Sequence, residues 1–278
     1  MAAVEIAGIY RAGRFSPNHV GNDAAILNAA AALLRRKGLT VNLYSEEQFI
    51  AQGLDAGERI VMAMCRDERS ISRLCALEDA GATVINSGYA IANCTRVNSY
   101  PLLQRAGVPQ PQTLLVPTNL DVRGRLDELG IARCWVKRAD SQTIHKEDVT
   151  SVRHSEEAQE LLSEFFIRGI RTAAIARHVP GHQLKFYGVR GTDFFHFFFP
   201  HAPEAAVDEA ELRRICAAAA DALKVDVYGG DAVVDPSTGE ITVISFNDWP
   251  SCAPCRDAAA RGIAKLVGTH ARKLLKSR

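Results

Sequence analysis

The opening third of the chain alternates short runs of β-forming residues with stretches at helical spacing, and that alternation restricts the fold more than any other feature. Val4–Tyr10 reads as a first strand. Apolar residues at helical spacing follow as far as Leu34, with Asn22 or Asp23 as the cap and Gly38 as the stop. Thr40–Tyr44 and Arg59–Met64 read as the next two strands, Asp67–Asp79 as a helix closed by Gly81, and Thr83–Asn86 as a fourth strand. Strands alternating with helices make βαβ units, and these build a mostly parallel sheet. No segment repeats at the period of a solenoid.

After Ser87 the pattern changes. Thr95–Ala106 reads as a helix ended by Gly107, and Val108-Pro109-Gln110-Pro111 as a stiff connector, because each proline fixes φ and removes a donor. Gln112–Pro117 and Arg133–Arg138 are expected strands separated by a helix over Leu120–Leu129, and Ser155–Ile167 is a further helix. Ala173–Val179, Leu184–Val189 and Asp193–Phe199 adjoin through Gly181 and Gly191-Thr192, the spacing of an antiparallel meander. Glu209–Leu223 is helical, Val227–Val234 and Glu240–Asn247 flank the turn Asp235–Gly239, and Cys255–Ser277 is a long helix with a basic end. The expected fold class is an N-terminal α/β domain with a mostly parallel sheet, followed by an α+β part with antiparallel sheets.

Composition narrows the partners. The 278 residues carry 33 Lys+Arg against 32 Asp+Glu, a net charge of +1, which gives no global basic field for nucleic acid. With 47% hydrophobic and 23% charged residues the chain is neither disordered nor membranous, and no apolar run approaches the ~20 residues of a membrane helix. The start Met-Ala-Ala-Val-Glu lacks a secretion signal, so the expected location is cytoplasmic. Seven scattered cysteines, an odd number, suit reduced thiols.

Six motifs in order, AGVPQPQT, VKR, HVPG, KFYGV, GGDAVVD and VISFND, resemble the ATP-grasp superfamily, in the manner of carboxylate–amine ligases of the glutathione-synthetase-like type, as a divergent member. The resemblance covers the whole chain, and implies a preceding α/β domain at residues 1–90, a small lobe at 91–172 and a large lobe at 173–278. It implies ATP and Mg²⁺ as cofactors. It also implies activation of a carboxylate as an acyl phosphate that an amine attacks.

By that resemblance Lys137, at the end of CWVKR, reaches the ATP phosphates, and Arg96 stands where a second phosphate-binding lysine is common. The competing readings are a surface lysine at a strand end and a solvated helix start. The segment 139–149 matches the phosphate-covering loop but contains no glycine, so Ser141, Gln142, Thr143, His145 and Lys146 are the donors left to it. Arg177, His178 and Val179 match the hinge that reads adenine with its backbone, although relatives often carry an acidic residue there. Lys185 alternates with apolar neighbours on a middle strand, an expensive place for a charge without a partner. With Lys137 it is the expected catalytic cation. Asp231 and Asn247 match metal ligands. The family's glutamate two residues before that asparagine is Ser245 here, and Asp248 or Asp235 stands as its replacement.

Arg11, Arg14 and Arg66 follow strands of the first domain and suit a substrate carboxylate or phosphate, with solvated arginines as the alternative. Cys252-Ala253-Pro254-Cys255 is a single CxxC at a helix start, read chiefly as packing. The aromatic run Phe194–Phe199 reads as a fully buried strand. The preferred function is an Mg²⁺/ATP-dependent ligase joining small-molecule or peptide carboxylate and amine substrates, with a homodimer entertained. The alternatives are a degenerate member that binds nucleotide or metabolite without turnover, and a small-molecule kinase.

Overall fold

The computed structural model describes residues 4–17, 19–130, 133–141, 145–201 and 206–276. The first ninety residues form a parallel sheet of β1 (Glu5–Ile9), β2 (Thr40–Tyr44), β3 (Glu58–Ala63) and β4 (Thr83–Ile85) in the order β2-β1-β3-β4. Ile6, Ala7, Ile9 and Ile60–Ala63 are all fully buried, as befits strands covered on both faces. Helices α1 (Val20–Arg36), α2 (Glu46–Gln52), α3 (Glu68–Asp79) and α4 (Gly88–Asn93) accompany them.

An antiparallel sheet follows: β5 (Thr113–Pro117), β6 (Cys134–Arg138), β7 (Val149–Val152) and β8 (Thr172–Arg177), in the order β5-β8-β6-β7. Helix α5 (Arg96–Arg105) leads into it, and α6 (Arg123–Glu128) and α7 (Ser155–Ile167) cover one face with Leu126, Leu162 and Phe165. A second antiparallel sheet holds β9 (His182–Val189), β10 (Phe195–Phe198), β11 (Val227–Val234) and β12 (Ile241–Asp248), in the order β10-β9-β11-β12. Helix α8 (Glu209–Leu223) packs on it through Leu212, Ile215 and Ala219.

The last helix, α9 (Arg256–Lys276), returns to the first domain. Its small residues Ala259, Ala260, Ala264 and Ala271 share a core with Ala30, Ala31 and Leu34 of α1, so the two helices approach closely. Buried Asn86, just after β4, adds a polar link: its Oδ1 accepts from the N–H groups of Asp226 and Val227, and its Nδ2 donates to the Val227 carbonyl. The first sheet is thereby pinned to the start of β11. No helix among the described residues is long and apolar enough to cross a membrane.

Several local expectations change. The three extended segments after 172 do not form one meander, because β8 pairs with β5 and β6 while β9 opens the next sheet. Gly181 makes that switch at φ +139, where a Cβ would lie 2.4 Å from the Val234 carbonyl oxygen. Helix α1 begins at Val20, ahead of Asn22 and Asp23, because Asp23 faces inward to an arginine and Asn22 accepts from Arg256. Strand β10 is a half-buried edge strand, not a fully buried one. Helix α2, helix α4 and strand β7 had no counterpart in the sequence reading.

Candidate active site

Two clefts meet at Asp231. The first, of about 330 Å³, lies between the two antiparallel sheets. Its apolar wall comes from Trp135, Val179, Val233 and Ile244, and its charged end from Arg96, Lys137 and Asp231. Lys137 is buried at the end of β6, where alternation turns it away from the α7 side that Val136 packs against. Its Nζ donates to the Ile244 carbonyl at 3.1 Å. Burial, reinforced by the neighbouring Arg96 charge and opposed by Asp231, pulls the Lys137 ammonium down to about 7. Arg96 opens α5 and donates through Nη1 to the Arg138 carbonyl. Burial lowers its guanidinium as well, against the pull of Tyr100 and Asp148. Among the described residues neither cation has a carboxylate in ion-pair contact.

At the other end of this cleft Trp135 Nε1 donates to His178 Nδ1 at 3.2 Å. Burial, then Arg133, lowers the His178 imidazole, so it stands neutral as that acceptor. The N–H groups of Arg177 and His178 already bond the carbonyls of Gln112 and Arg133. Of the three hinge residues, only the Val179 N–H is without a backbone partner among the described residues.

The second cleft, of about 570 Å³, opens between the first domain and the β9–β12 sheet. Its charges come in pairs. Arg11 Nη1 donates to Asp23 at 2.8 Å, and its Nη2 to the Trp249 carbonyl. Arg66 donates to the Asp248 carboxylate and, through Nη2, to the Asp248 carbonyl. The side chains of Arg66 and Asp248 are 7% and 0% exposed, which makes this a buried ion pair. Burial works against the Arg66 charge, and Asp248 outweighs it, so the guanidinium is held above its ordinary range. Arg11, buried beside Arg66, is held below. Lys185 Nζ donates to Asp231 Oδ1 at 2.7 Å, and Gln183 donates to the same oxygen.

Glu46 positions the arginine loops. Fully buried in the first turn of α2, it accepts the N–H of Ala12 through Oε2 and those of Arg66 and Asp67 through Oε1. One carboxylate thus joins the turns that follow β1 and β3.

No protein-family model matches the sequence, and no curated protein does either. Solved structures match closely in shape. D-alanine–D-alanine ligase from Bacillus anthracis complexed with ATP superposes with a TM-score of 0.68 at 15% identity, over 98% of this chain and 99% of that one. D-alanyl-alanine synthetase A from Vibrio cholerae gives 0.72 at 10% identity, over 96% and 99%. A RimK domain ATP-grasp protein from Sphaerobacter thermophilus gives 0.69 at 16% identity, over 95% and 99%. The chain has the ATP-grasp fold.

Within that fold the residues anticipated from the sequence fall into three sets. Arg96, Lys137 and Val179 line the first cleft with Asp231 and Ser245, and the Arg177 and His178 side chains stand at its hinge. Lys185, Asp231, Asn247, Arg11 and Arg66 line the second. The rest lie elsewhere. Arg14 is half-exposed in an ion pair with Asp67. His145 and Lys146 are exposed and line neither cleft, and Ser141 lines a small adjoining hollow with Arg96 and Asn247. Gln142 and Thr143 lie outside the described residues. Asp248 does not join Asp231 and Asn247, because Arg66 holds its carboxylate on the first-domain side. Asp235 caps its own turn, accepting from Ser237 and Thr238. Glu46 and Gln183 carry no signal in the sequence, and Asp23 reads there only as a helix cap. A glutamate right after a capping serine reads as ordinary helix-start chemistry, so Glu46 carried no signal.

Among the described residues no three His, Cys, Asp or Glu side chains converge on a metal-sized point. The oxygens on this face of the sheet include the Asp231 carboxylate, the cross-strand Ser245 hydroxyl and the Asn247 amide, whose Nδ2 lies 3.3 Å from Ser245 Oγ. Mg²⁺ uses one or two carboxylates with phosphate oxygens and water. This donor set therefore fits one Mg²⁺ held jointly with a nucleotide and is short of carboxylates for two.

Proposed function

We infer that the protein is an ATP-dependent carboxylate–amine ligase. One observation carries the reading: the cleft with two unpaired buried cations meets the larger, charge-paired cleft at a single carboxylate, Asp231. A nucleotide lying in the first cleft, base toward Trp135 and Val179, puts its phosphates against Arg96 and Lys137 and its terminal phosphate toward the second. A carboxylate substrate held there is activated as an acyl phosphate, and an amine in the same cleft attacks it. In this reading residues 1–90 form the acceptor wall, and 91–172 and 173–278 form the two lobes around the nucleotide.

Each residue then has a role. Arg96 and Lys137 neutralise phosphate charge without reorganising, since both are already fixed by backbone carbonyls. Lys185 faces the junction from β9 and stabilises the oxygens that gain charge there. Asp231 and Asn247, with Ser245, would hold one Mg²⁺, which would supply neutralisation of phosphate charge. The similarity of fold to ligases of D-alanine supports small amino or peptide carboxylates as the substrate class. A second reading, nucleotide binding without turnover, is favoured by two features: Asp231 is in an ion pair with Lys185, and the glutamate position is Ser245.

The test is an isotope experiment. Pools of acids labelled with ¹⁸O in the carboxylate are incubated with Mg-ATP and pools of amines. Appearance of ¹⁸O in released phosphate, dependent on Lys137, supports acyl-phosphate chemistry. ATP binding with no label transfer from any acid pool supports the second reading.

A further inference from the structure

The turn between β12 and α9 forms part of the second cleft's wall and carries two cysteines that the ligase reading does not use. Trp249 and Cys252 both adopt left-handed backbone conformations, at φ 39 and φ 48, which non-glycine residues seldom hold. Between them Pro250 and Ser251 line the cleft, as do Ala253 and Pro254 just beyond. Ala253–Cys255 is a single 3₁₀ turn, closed by the Cys255 N–H bonding the Cys252 carbonyl at 2.9 Å. A hydrogen bond of that span brings the two Cα atoms within about 7 Å. A disulfide requires roughly 4.4–6.8 Å.

The two thiols stand on one turn, close enough for each to shift the other's ionisation. They differ in access: Cys252 is 1% exposed in the core with Trp249 and Ile263, while Cys255 is half-buried. They sit where α9, a helix of 21 residues, begins, and its N-terminus favours negative charge. The neighbouring Cys252 holds the Cys255 thiol below its ordinary range, and Cys255 together with burial pushes Cys252 up. Both lie within electrostatic reach of the Tyr187 hydroxyl, which lines the cleft.

We propose that Cys252 and Cys255 form a redox-active dithiol in the wall of the acceptor cleft, oxidised to an intramolecular disulfide by a low-molecular-weight disulfide. Cys255 thiolate attacks one sulfur of glutathione disulfide, forming a mixed disulfide and releasing one glutathione thiolate. Cys252 then attacks the Cys255 sulfur, forming the Cys252–Cys255 bond and releasing the second glutathione. Two electrons pass from the protein to the small disulfide, and the two protein thiol protons end on the two glutathione molecules. Of the remaining cysteines, Cys65, Cys94, Cys134 and Cys216 are buried, and Cys75 is half-buried on α3. The proposal stands apart from the ligase reading and needs no nucleotide.

The full chain is incubated with glutathione disulfide, quenched in acid, denatured, alkylated and digested with trypsin. The fragment Val225–Arg256 contains Cys252 and Cys255 and none of the other cysteines. The expected result is that this fragment takes no alkyl group and is lighter by two hydrogens than its reduced form, while the other five cysteines are alkylated in full. Two alkyl groups on it, or a glutathione adduct as the end product, overturns the proposal. A Cys252→Ser variant is expected to stop at a Cys255–glutathione adduct, and Cys255→Ser to stay unmodified at Cys252. Equal adduct formation in the two variants overturns the assigned order of attack.

Discussion

The two clefts solve the problem of burying charge in opposite ways. In the larger cleft, against the first sheet, each buried arginine has its own carboxylate, Arg11 with Asp23 and Arg66 with Asp248, and Lys185 has Asp231. In the cleft between the two antiparallel sheets Arg96 and Lys137 have only backbone carbonyls. Buried charges without partners are costly, and a fold retains them where a ligand completes them. In the first arrangement the charges therefore balance without a ligand, with Arg11 Nε and Asp248 Oδ1 as the buried atoms left without a hydrogen bond. The second is incomplete and calls for a polyanion.

The largest expected effect breaks a complete pair. Arg66→Ala leaves the Asp248 carboxylate buried and unpaired, and is expected to lower stability by about 3–5 kcal/mol in denaturant unfolding. The double variant Arg66→Met/Asp248→Leu is expected to recover most of that loss. If the single variant costs under about 1 kcal/mol, the pairing in this cleft is not what holds its wall. The same operation on the other side has the opposite sign. Lys137→Met removes an uncompensated buried ammonium, and the ligand-free protein is expected to be as stable as wild type or about 1 kcal/mol more so.

A pH series sharpens the contrast. Lys137 titrates in the folded protein at about 7, below its ordinary value of 10.5. The unfolded chain binds more protons between those limits, so ligand-free stability from this group rises as pH climbs from 7 toward 10.5. Phosphates favour the charged form, so nucleotide binding above that point takes up a proton. Near pH 8 the uptake should reach roughly 0.9 proton per nucleotide, and affinity should fall by up to about tenfold per pH unit. Calorimetry in buffers of different ionisation enthalpy measures this, and uptake near zero would mean that another group meets the phosphates. The smallest effect belongs to the far end of the same cleft. His178→Ala removes the acceptor of the Trp135 indole and should weaken nucleotide binding by about 0.5–1.5 kcal/mol, seen as a change of a few-fold in Kd.

Much of this was legible before the structure. The strand–helix alternation up to Ile85 gives the parallel sheet directly, and the ordered motifs single out Lys137, Lys185, Asp231 and Asn247, which line two adjoining clefts. What sequence spacing could not show is contact across long separations. Arg66 and Asp248 are 182 residues apart, so nothing near Asp248 says that its carboxylate is engaged. A carboxylate beside Asn247 reads as a metal ligand until the first domain is folded against it. Strand β8 misled for a related reason. Its alternation and the glycine after it look the same in a meander as in a change of sheet, and only pairing with β5 and β6 decides. Glu46 was silent because its three backbone donors come from other segments.

The central claim is that Arg96 and Lys137 are held unpaired for the phosphates of a nucleotide. Thermal unfolding of wild type and Lys137→Ala, each with and without Mg-ATP, tests it most directly. A nucleotide at 100 times its Kd stabilises the fold by about 2.7 kcal/mol, a shift of several degrees. The account predicts that shift in wild type and its loss in Lys137→Ala, with the variant's own melting temperature no lower. An equal shift in both proteins, or none in wild type, would contradict it.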